Sequence, residues 1–395
     1  MNPVAKYRIQ SLDLLRGLVM IIMALDHARD FFHYGANIGE NPTGLKTTTT
    51  ILFFTRWITH FCAPVFMLLA GIGMYLFSEK QHSKKQMFIF LFTRGLWLIF
   101  VEVFIIGPIW NFNFSGIVLQ VIWAFGISMI FLSFLQFLPY MLLAPLGLII
   151  VFGHNLLDKI NIDHPIWQSM IWSMTHVAFN RFPLTDTLGL AVFYPFLPWL
   201  GLMISGYALG KIYSPNISPS FRKKFLLWTG FSMILLFILI RAINGYGDRQ
   251  HWVSQKSGWF TILDFIRTSK YPPSLLYILM TVGPALVFLS VTESVSISPY
   301  NKILVFGKVP LFYYILHIFL IHIVAWGLFF ASGHSWAELD FSTIHPRLGS
   351  IPKGFGYPLG IVYLLWASIV FILYFPCKWY ANYKSTHNQW WLSYM

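Results

Sequence analysis

Apolar residues in this chain collect in blocks of about 20, the length a helix needs to cross a hydrocarbon layer of ~30 Å. Ten such blocks run near 12–32, 51–77, 86–107, 117–137, 139–157, 192–212, 223–243, 274–293, 303–330 and 357–378. Lipid offers no hydrogen bonds, so each block must satisfy its own backbone as a helix. The pattern predicts an all-α, polytopic integral membrane protein of about ten transmembrane helices. Neither a low-complexity tract nor an internal repeat interrupts it, and 1–395 is read as one membrane domain.

Composition agrees. The chain is 57% hydrophobic and 10% charged, more apolar surface than a soluble domain of 395 residues can hide. The net charge of +13 lies in short clusters between apolar blocks, such as Lys80, Lys84 and Lys85, and Arg222, Lys223 and Lys224. That distribution is a topology signal, not a nucleic-acid surface. With the N-terminus inside, the inner segments carry Lys6 and Arg8, then those two clusters with Lys211, then Lys302 and Lys308, and finally Lys378 and Lys384. The short outer loop 108–116 carries no charge, so both termini are expected in the cytosol. The longer outer loops 158–191, 244–273 and 331–356 mix aromatics, histidines and charges; they suit either contact with an outer substrate or plain connection. Trp390 and Trp391 suit an interfacial anchor. Two cysteines, Cys62 and Cys377, provide neither a disulfide framework nor a thiolate metal site. The first block holds Asp13 and Arg16 and lacks a small-residue cleavage site, so it does not read as a cleavable signal.

That first block carries the chemistry. Only nine residues separate Arg16 from Asp26, and His27, Arg29 and Asp30 follow. Some of these groups must sit at membrane depth, where a charge costs roughly 2.5–3.5 kcal/mol unless it meets a partner or a water-filled cavity. At ~100° per residue, Asp13, Arg16, Met20, Met23 and His27 form one stripe, with Arg16 and His27 ~16 Å apart along the axis. A guanidinium at the inner mouth would grip a phosphate of a coenzyme A donor. An imidazole deeper in would take a proton from an acceptor hydroxyl or amine, with Asp30 or Asp26 orienting the ring. The alternative is a snorkelling Arg16 and a solvated helix end at 26–30.

The run Ser11-Leu-Asp-Leu-Leu-Arg16-Gly17, followed by His27, resembles the arginine, ten residues, histidine signature of membrane O-acyltransferases acting on envelope polysaccharides. More of the chain resembles the bacterial relatives of heparan-α-glucosaminide N-acetyltransferase. The likeness includes Phe61–Gly71, Val118-Leu119-Gln120, Thr268–Leu276, Gly307–His317 and Phe375–Trp379. It implies a multi-pass enzyme of the cell (inner or plasma) membrane. Such an enzyme moves an acetyl group from cytosolic acetyl-CoA to a glycan acceptor at the outer face, with Arg16 and His27 functional. In that resemblance the animal enzyme has asparagine at the position of His27 and its proposed histidine in the following loop, where this chain offers His33. The base is therefore His27 or His33.

Other polar residues in apolar blocks are secondary candidates. Arg56 and His60, four apart, would share a face at an acceptor entrance or form an interhelical pair. Arg94 would contact a CoA phosphate or a lipid headgroup, and Gln120 a substrate or a neighbouring helix. Tyr313 and His317 lie one turn apart, with His322 beyond, and His317 would stand near the site, touching substrate or supporting the residues that do. No acidic residue or cysteine on that helix completes a metal set, so no metal is expected. Gly-X-Ser-X-Gly, a Walker loop and His-Glu-X-X-His are all absent, which favours direct transfer over an acyl-enzyme. The rival function is a proton-coupled secondary transporter, against which stands the lack of an inverted repeat. The sequence leaves the oligomeric state open.

Overall fold

The structure, a computed structural model, describes residues 9–81, 83–112, 116–160, 162, 166–186, 188–293, 295, 298, 301–339, 351–352 and 354–394. Lys6 and Arg8, the middle of the short loop (113–115) and most of the last long loop (340–350) lie outside the described residues.

Every one of the ten apolar blocks holds helix. The first is α1 (Gln10–Phe32), followed by the single turn α2 (Tyr34–Asn37). The second divides at His60–Phe61 into α3 (Thr50–Thr59) and α4 (Cys62–Ser78). α5 (Lys84–Val101) runs through a π-helical stretch, Glu102–Ile106, into α6 (Gly107–Asn111). Strand β1 (Gly116–Leu119) leads to α7 (Val121–Leu135). α8 (Tyr140–Gly153) precedes the amphipathic α9 (Ile166–Thr175). Strands β2 (Asn180–Pro183) and β3 (Gly189–Val192) come before α10 (Phe196–Leu209) and α11 (Pro219–Ile243). The short α12 (Gly258–Ile266) leads to α13 (Leu275–Thr292). The chain ends with α14 (Ile303–Lys308), α15 (Pro310–Ala331) and α16 (Leu359–Thr386).

Local chemistry fixes the ends. Thr49, Ser83, Ser218 and Ser274 each accept a hydrogen bond from an amide in the first turn of α3, α5, α11 and α13, the usual service of a hydroxyl at a helix start. Pro310 cannot donate to the helix before it, so α14 and α15 part there.

Seven helical stretches among the described residues are long and apolar enough to cross a membrane, beginning with Thr50–Ser78 and ending with Leu359–Thr386. The remaining three expected spans depart from that standard for different reasons. α1 carries five charged residues within Gln10–Phe32, and α7 and α10 have only 15 and 14 residues.

The architecture is helical as expected, with one small sheet added to it. β1 pairs in parallel with β3, and β3 pairs antiparallel with β2, giving a small sheet in the order β1-β3-β2. The block expected as helix from 117 begins with this strand, Gly-Ile-Val-Leu, whose β-branched pair suits extended backbone. Helix starts only after Gln120, which is itself extended. The amides of Phe193 and Tyr194 both reach the carbonyl of Leu119 at 3.0 and 3.1 Å, so the end of the sheet is pinned beside the start of α7.

α1 lies inside the helix assembly, packed against α3, α4, α14, α15 and α16. Its crossing with α14 is backbone to backbone. A Cβ on Gly307 would lie 2.0 Å from the carbonyl oxygen of Asp13, and one on Gly17 would lie 2.1 Å from that of Ile303. Small residues of this kind let helices approach where no hydrophobic force drives them together. Gly307→Ala is therefore expected to lower the thermal unfolding midpoint in detergent, corresponding to about 1–3 kcal/mol of overpacking. Gly327→Ala, on α15 where a Cβ meets nothing within 4 Å, should leave the midpoint unchanged; equal behaviour of the two variants would show that the crossing is not tight.

Candidate active site

A cavity of about 560 Å³ runs beside α1, lined by Arg16, Met20, Met23, Asp26, His27 and Asp30 from that helix. These positions repeat every three or four residues and form one stripe. Asp13, the first member of the expected stripe, does not line the cavity; it is buried and pairs with Arg16 at 3.0 Å. The Arg16 guanidinium also donates to the carbonyl of Gly307 at 3.3 Å, so the close α1–α14 crossing holds this cation in place. Arg94, Lys308 and Lys384 line the cavity with it. Arg94 sits over the ring of Phe90, 5.8 Å from its centroid, and forms no ion pair with the acidic side chains of the described residues. Met20, Met23, Phe66, Leu69, Phe125 and Met129 make up much of the wall between the two ends.

Toward the C-terminal half of α1, His27 Nδ1 lies 2.7 Å from His317 Nε2. The other nitrogen of His317, Nδ1, lies 3.0 Å from the carbonyl oxygen of Tyr313, one turn back on α15. A carbonyl can only accept, so His317 donates from Nδ1 and its Nε2 carries the lone pair. His27 must then donate from Nδ1, which leaves the lone pair of the neutral ring on Nε2. Trp110 meets the His27 ring edge-on at 4.9 Å, restricting its tilt. The ring is thus oriented by another histidine. Asp26 and Asp30, expected to do this, are engaged elsewhere.

Asp26 is 5% exposed and accepts from Arg29 at 3.0 Å and from Arg56, with the Lys270 ammonium 3.8 Å away. Asp30 accepts from Arg29 at 2.6 Å. Charges at such depth persist only when opposed, and α1 and α3 supply the opposing groups.

The other expected residues divide. Gln120 lines the cavity from the start of α7. His60 is buried beside Tyr277, 5.5 Å between ring centroids, with its Nδ1 unpartnered, and stays outside the cavity wall. The Tyr313 phenol likewise lies outside it; its carbonyl, not its hydroxyl, matters to the site. His33 caps α2, accepting from the Gly35 amide at 3.2 Å, and does not reach the cavity. Sequence reasoning gave no site role to Lys270, Tyr271, Lys308, Lys384, Trp110 or Tyr314, which all line the cavity. The available signal for the first two was the polar run Thr268–Ser274 immediately before an apolar block. Among the described residues, no cluster of histidine, cysteine or acidic side chains is arranged to hold a metal.

These features define a multi-pass helical membrane protein with an internal cavity that holds a buried histidine pair and, along its wall, a group of cations. Residues 8–243, more than half of the chain, match the family model described as heparan-alpha-glucosaminide N-acetyltransferase, catalytic, and the chain belongs to that family. No curated protein matches it. The family implies membrane acetyltransferase activity. The matched part runs from α1 through α11 and includes Arg16, His27, Arg56, Arg94 and Gln120, whereas Lys270, Lys308 and His317 lie beyond it.

The buried network yields a stability prediction. Arg56→Ala would leave Asp26 with weaker compensation in a low-dielectric site, and removing one partner of such a pair typically costs about 3–5 kcal/mol. The variant should show a markedly lower yield of monodisperse protein on size exclusion; a wild-type profile and melting midpoint would show that Arg29 and Lys270 suffice.

Proposed function

We propose that the protein transfers an acetyl group from cytosolic acetyl-CoA to a hydroxyl or amine of a glycan at the outer face of the cell membrane. The observation that carries this reading is one cavity reaching from Arg16 to His27, ~16 Å apart on α1 at 1.5 Å per residue. Arg16, Arg94, Lys308 and Lys384 suit the phosphates of a nucleotide-bearing donor. The methionine- and phenylalanine-lined stretch suits an extended, largely uncharged arm leading to a thioester. With the N-terminus inside, the cationic part of the wall opens toward the cytosol, in keeping with the lysine and arginine distribution of the sequence.

His27 is the base in this reading and His33 is not, since His27 borders the cavity and His33 is a helix cap. The acceptor oxygen or nitrogen attacks the thioester carbonyl carbon while His27 Nε2 removes its proton. Collapse of the tetrahedral intermediate breaks the carbon–sulfur bond, and the departing thiolate takes the proton from His27. His317 keeps Nδ1 of His27 occupied, so the lone pair stays on Nε2, and shares the positive charge that forms transiently. No covalent acyl-enzyme is required.

His27→Ala should fold and bind acetyl-CoA with unchanged affinity in calorimetry, while transfer of radiolabelled acetyl to envelope glycans falls about 10²–10⁴-fold, the usual span for loss of a general base. Unchanged transfer would remove His27 from the mechanism. Arg94→Gln should weaken acetyl-CoA binding about tenfold, equivalent to ~1.4 kcal/mol, with the deficit shrinking at high salt. No heat from the wild type at millimolar acetyl-CoA would overturn the donor assignment and favour a transporter.

A further inference from the structure

Lys270 is 8% exposed and lines the cavity that His27 borders. Its ammonium has three donors, yet among the described residues it makes no side-chain hydrogen bond. Its contact with Asp26 Oδ2, at 3.8 Å, is too long for one, and it otherwise rests 5.2 Å from the centroid of the Tyr271 ring. Asp26 is already held by Arg29 and Arg56. Across this cluster Arg29, Arg56 and Lys270 oppose Asp26 and Asp30, which leaves one positive charge uncompensated. An ammonium with unused donors on the wall of a cavity is a ready contact for an anionic ligand.

The loop bearing Lys270 is fixed rather than adaptable. Asp248 accepts from the Ser269 amide at 2.8 Å, the Ser269 hydroxyl at 2.6 Å and the Ser274 hydroxyl at 2.7 Å, which binds both shoulders of the 269–274 segment. The Arg241 guanidinium donates to the carbonyls of Asp264 and Arg267 at 3.0 and 2.7 Å and holds the approach to it. The ammonium is therefore preorganised, and reorganisation does not have to precede binding. Beside it the cavity wall is aromatic, with Tyr271 and its neighbour Tyr194. The Tyr194 and Tyr271 rings lie edge to face at 5.2 Å.

We infer that Lys270 is the anion-recognising group of the acceptor subsite, and that the acceptor is a carboxylate-bearing sugar. One leftover positive charge matches a single carboxylate, whereas a phosphate dianion would overcompensate it. The aromatic wall suits the flat apolar face of a pyranose ring. This rests on the acyltransferase reading only for the word acceptor; the anion site itself stands on the net positive charge of the cluster and the unused donors of Lys270 on the cavity wall.

The test is calorimetric titration of the full chain in nanodiscs with methyl glucuronide and with methyl glucoside, alongside acetyl-CoA. Wild type should bind the glucuronide at least about tenfold more tightly. Lys270→Gln should bring the two sugars within about twofold of each other without changing acetyl-CoA affinity, and Lys270→Arg should keep the order. Equal affinities in the wild type, binding of neither sugar, or a preference that survives Lys270→Gln would each overturn the inference. A fall in acetyl-CoA affinity on Lys270→Gln would also overturn it, by assigning the ammonium to the donor. A glucuronide preference in a protein that fails to bind acetyl-CoA would uphold the anion site and sink the acyltransferase reading alone.

Discussion

Charge buried on one helix is the constraint from which the rest of this architecture follows. α1 carries Asp13, Arg16, Asp26, Arg29 and Asp30 within Gln10–Phe32, and no helix so composed is stable against hydrocarbon. It must be surrounded by protein. The helices that surround it supply counter-charges (Arg56 from α3, Lys270 from the loop before α13) and backbone acceptors, such as the Gly307 carbonyl on α14. α8, by contrast, can remain apolar along its whole length because it carries none of this burden.

Surrounding a charged helix creates a second problem, because long charged side chains keep neighbouring backbones apart. Two solutions coexist along α1. Glycines at 17 and 307 bring α14 into backbone contact, so Arg16 and Lys308 meet the cavity from adjacent elements. Further along, where the stripe turns to Met20, Met23 and His27, the helices do not close and a cavity remains. Close contact at one level and a gap at the next are two consequences of residue size on the same helix face. They give Arg16 a fixed position and His27 an open one.

The sequence revealed what depends on length and helical spacing. Blocks of about 20 apolar residues mark helices whoever their neighbours are, so all ten segments contain helix. The stripe on α1 follows from helical spacing alone, and Arg16 and His27 do share a cavity. Partner choice was not legible, because it is decided by elements distant in the chain. His317 lies 290 residues from the ring it orients. From the sequence, the nearby Asp26 and Asp30 looked like the natural orienters, but Arg29 and Arg56 claim them first, since an ion pair at membrane depth outweighs a hydrogen bond to a neutral imidazole. The small sheet escaped notice for a related reason: four-residue strands are too short to carry a periodicity that separates them from helix or loop. Lys270 was hidden because a lysine in a loop ordinarily reads as solvated.

The two polar regions of the cavity ask different things of their surroundings. Near Arg16 the cations are several and come from separate elements, an arrangement that tolerates a flexible, multiply charged ligand and loses strength with salt. Near His27 both carboxylates are tied to arginines and the ring is held at Nδ1, an arrangement that tolerates little displacement. Between them lie thioether and aromatic side chains that offer water few hydrogen bonds. In the proposed reaction, water competes with the acceptor for the thioester, and an apolar stretch before the base disfavours it by leaving it poorly solvated. A site of this kind gains selectivity for transfer over hydrolysis from the wall as much as from the base, so the methionines of the α1 stripe belong to the mechanism although none of them carries a proton.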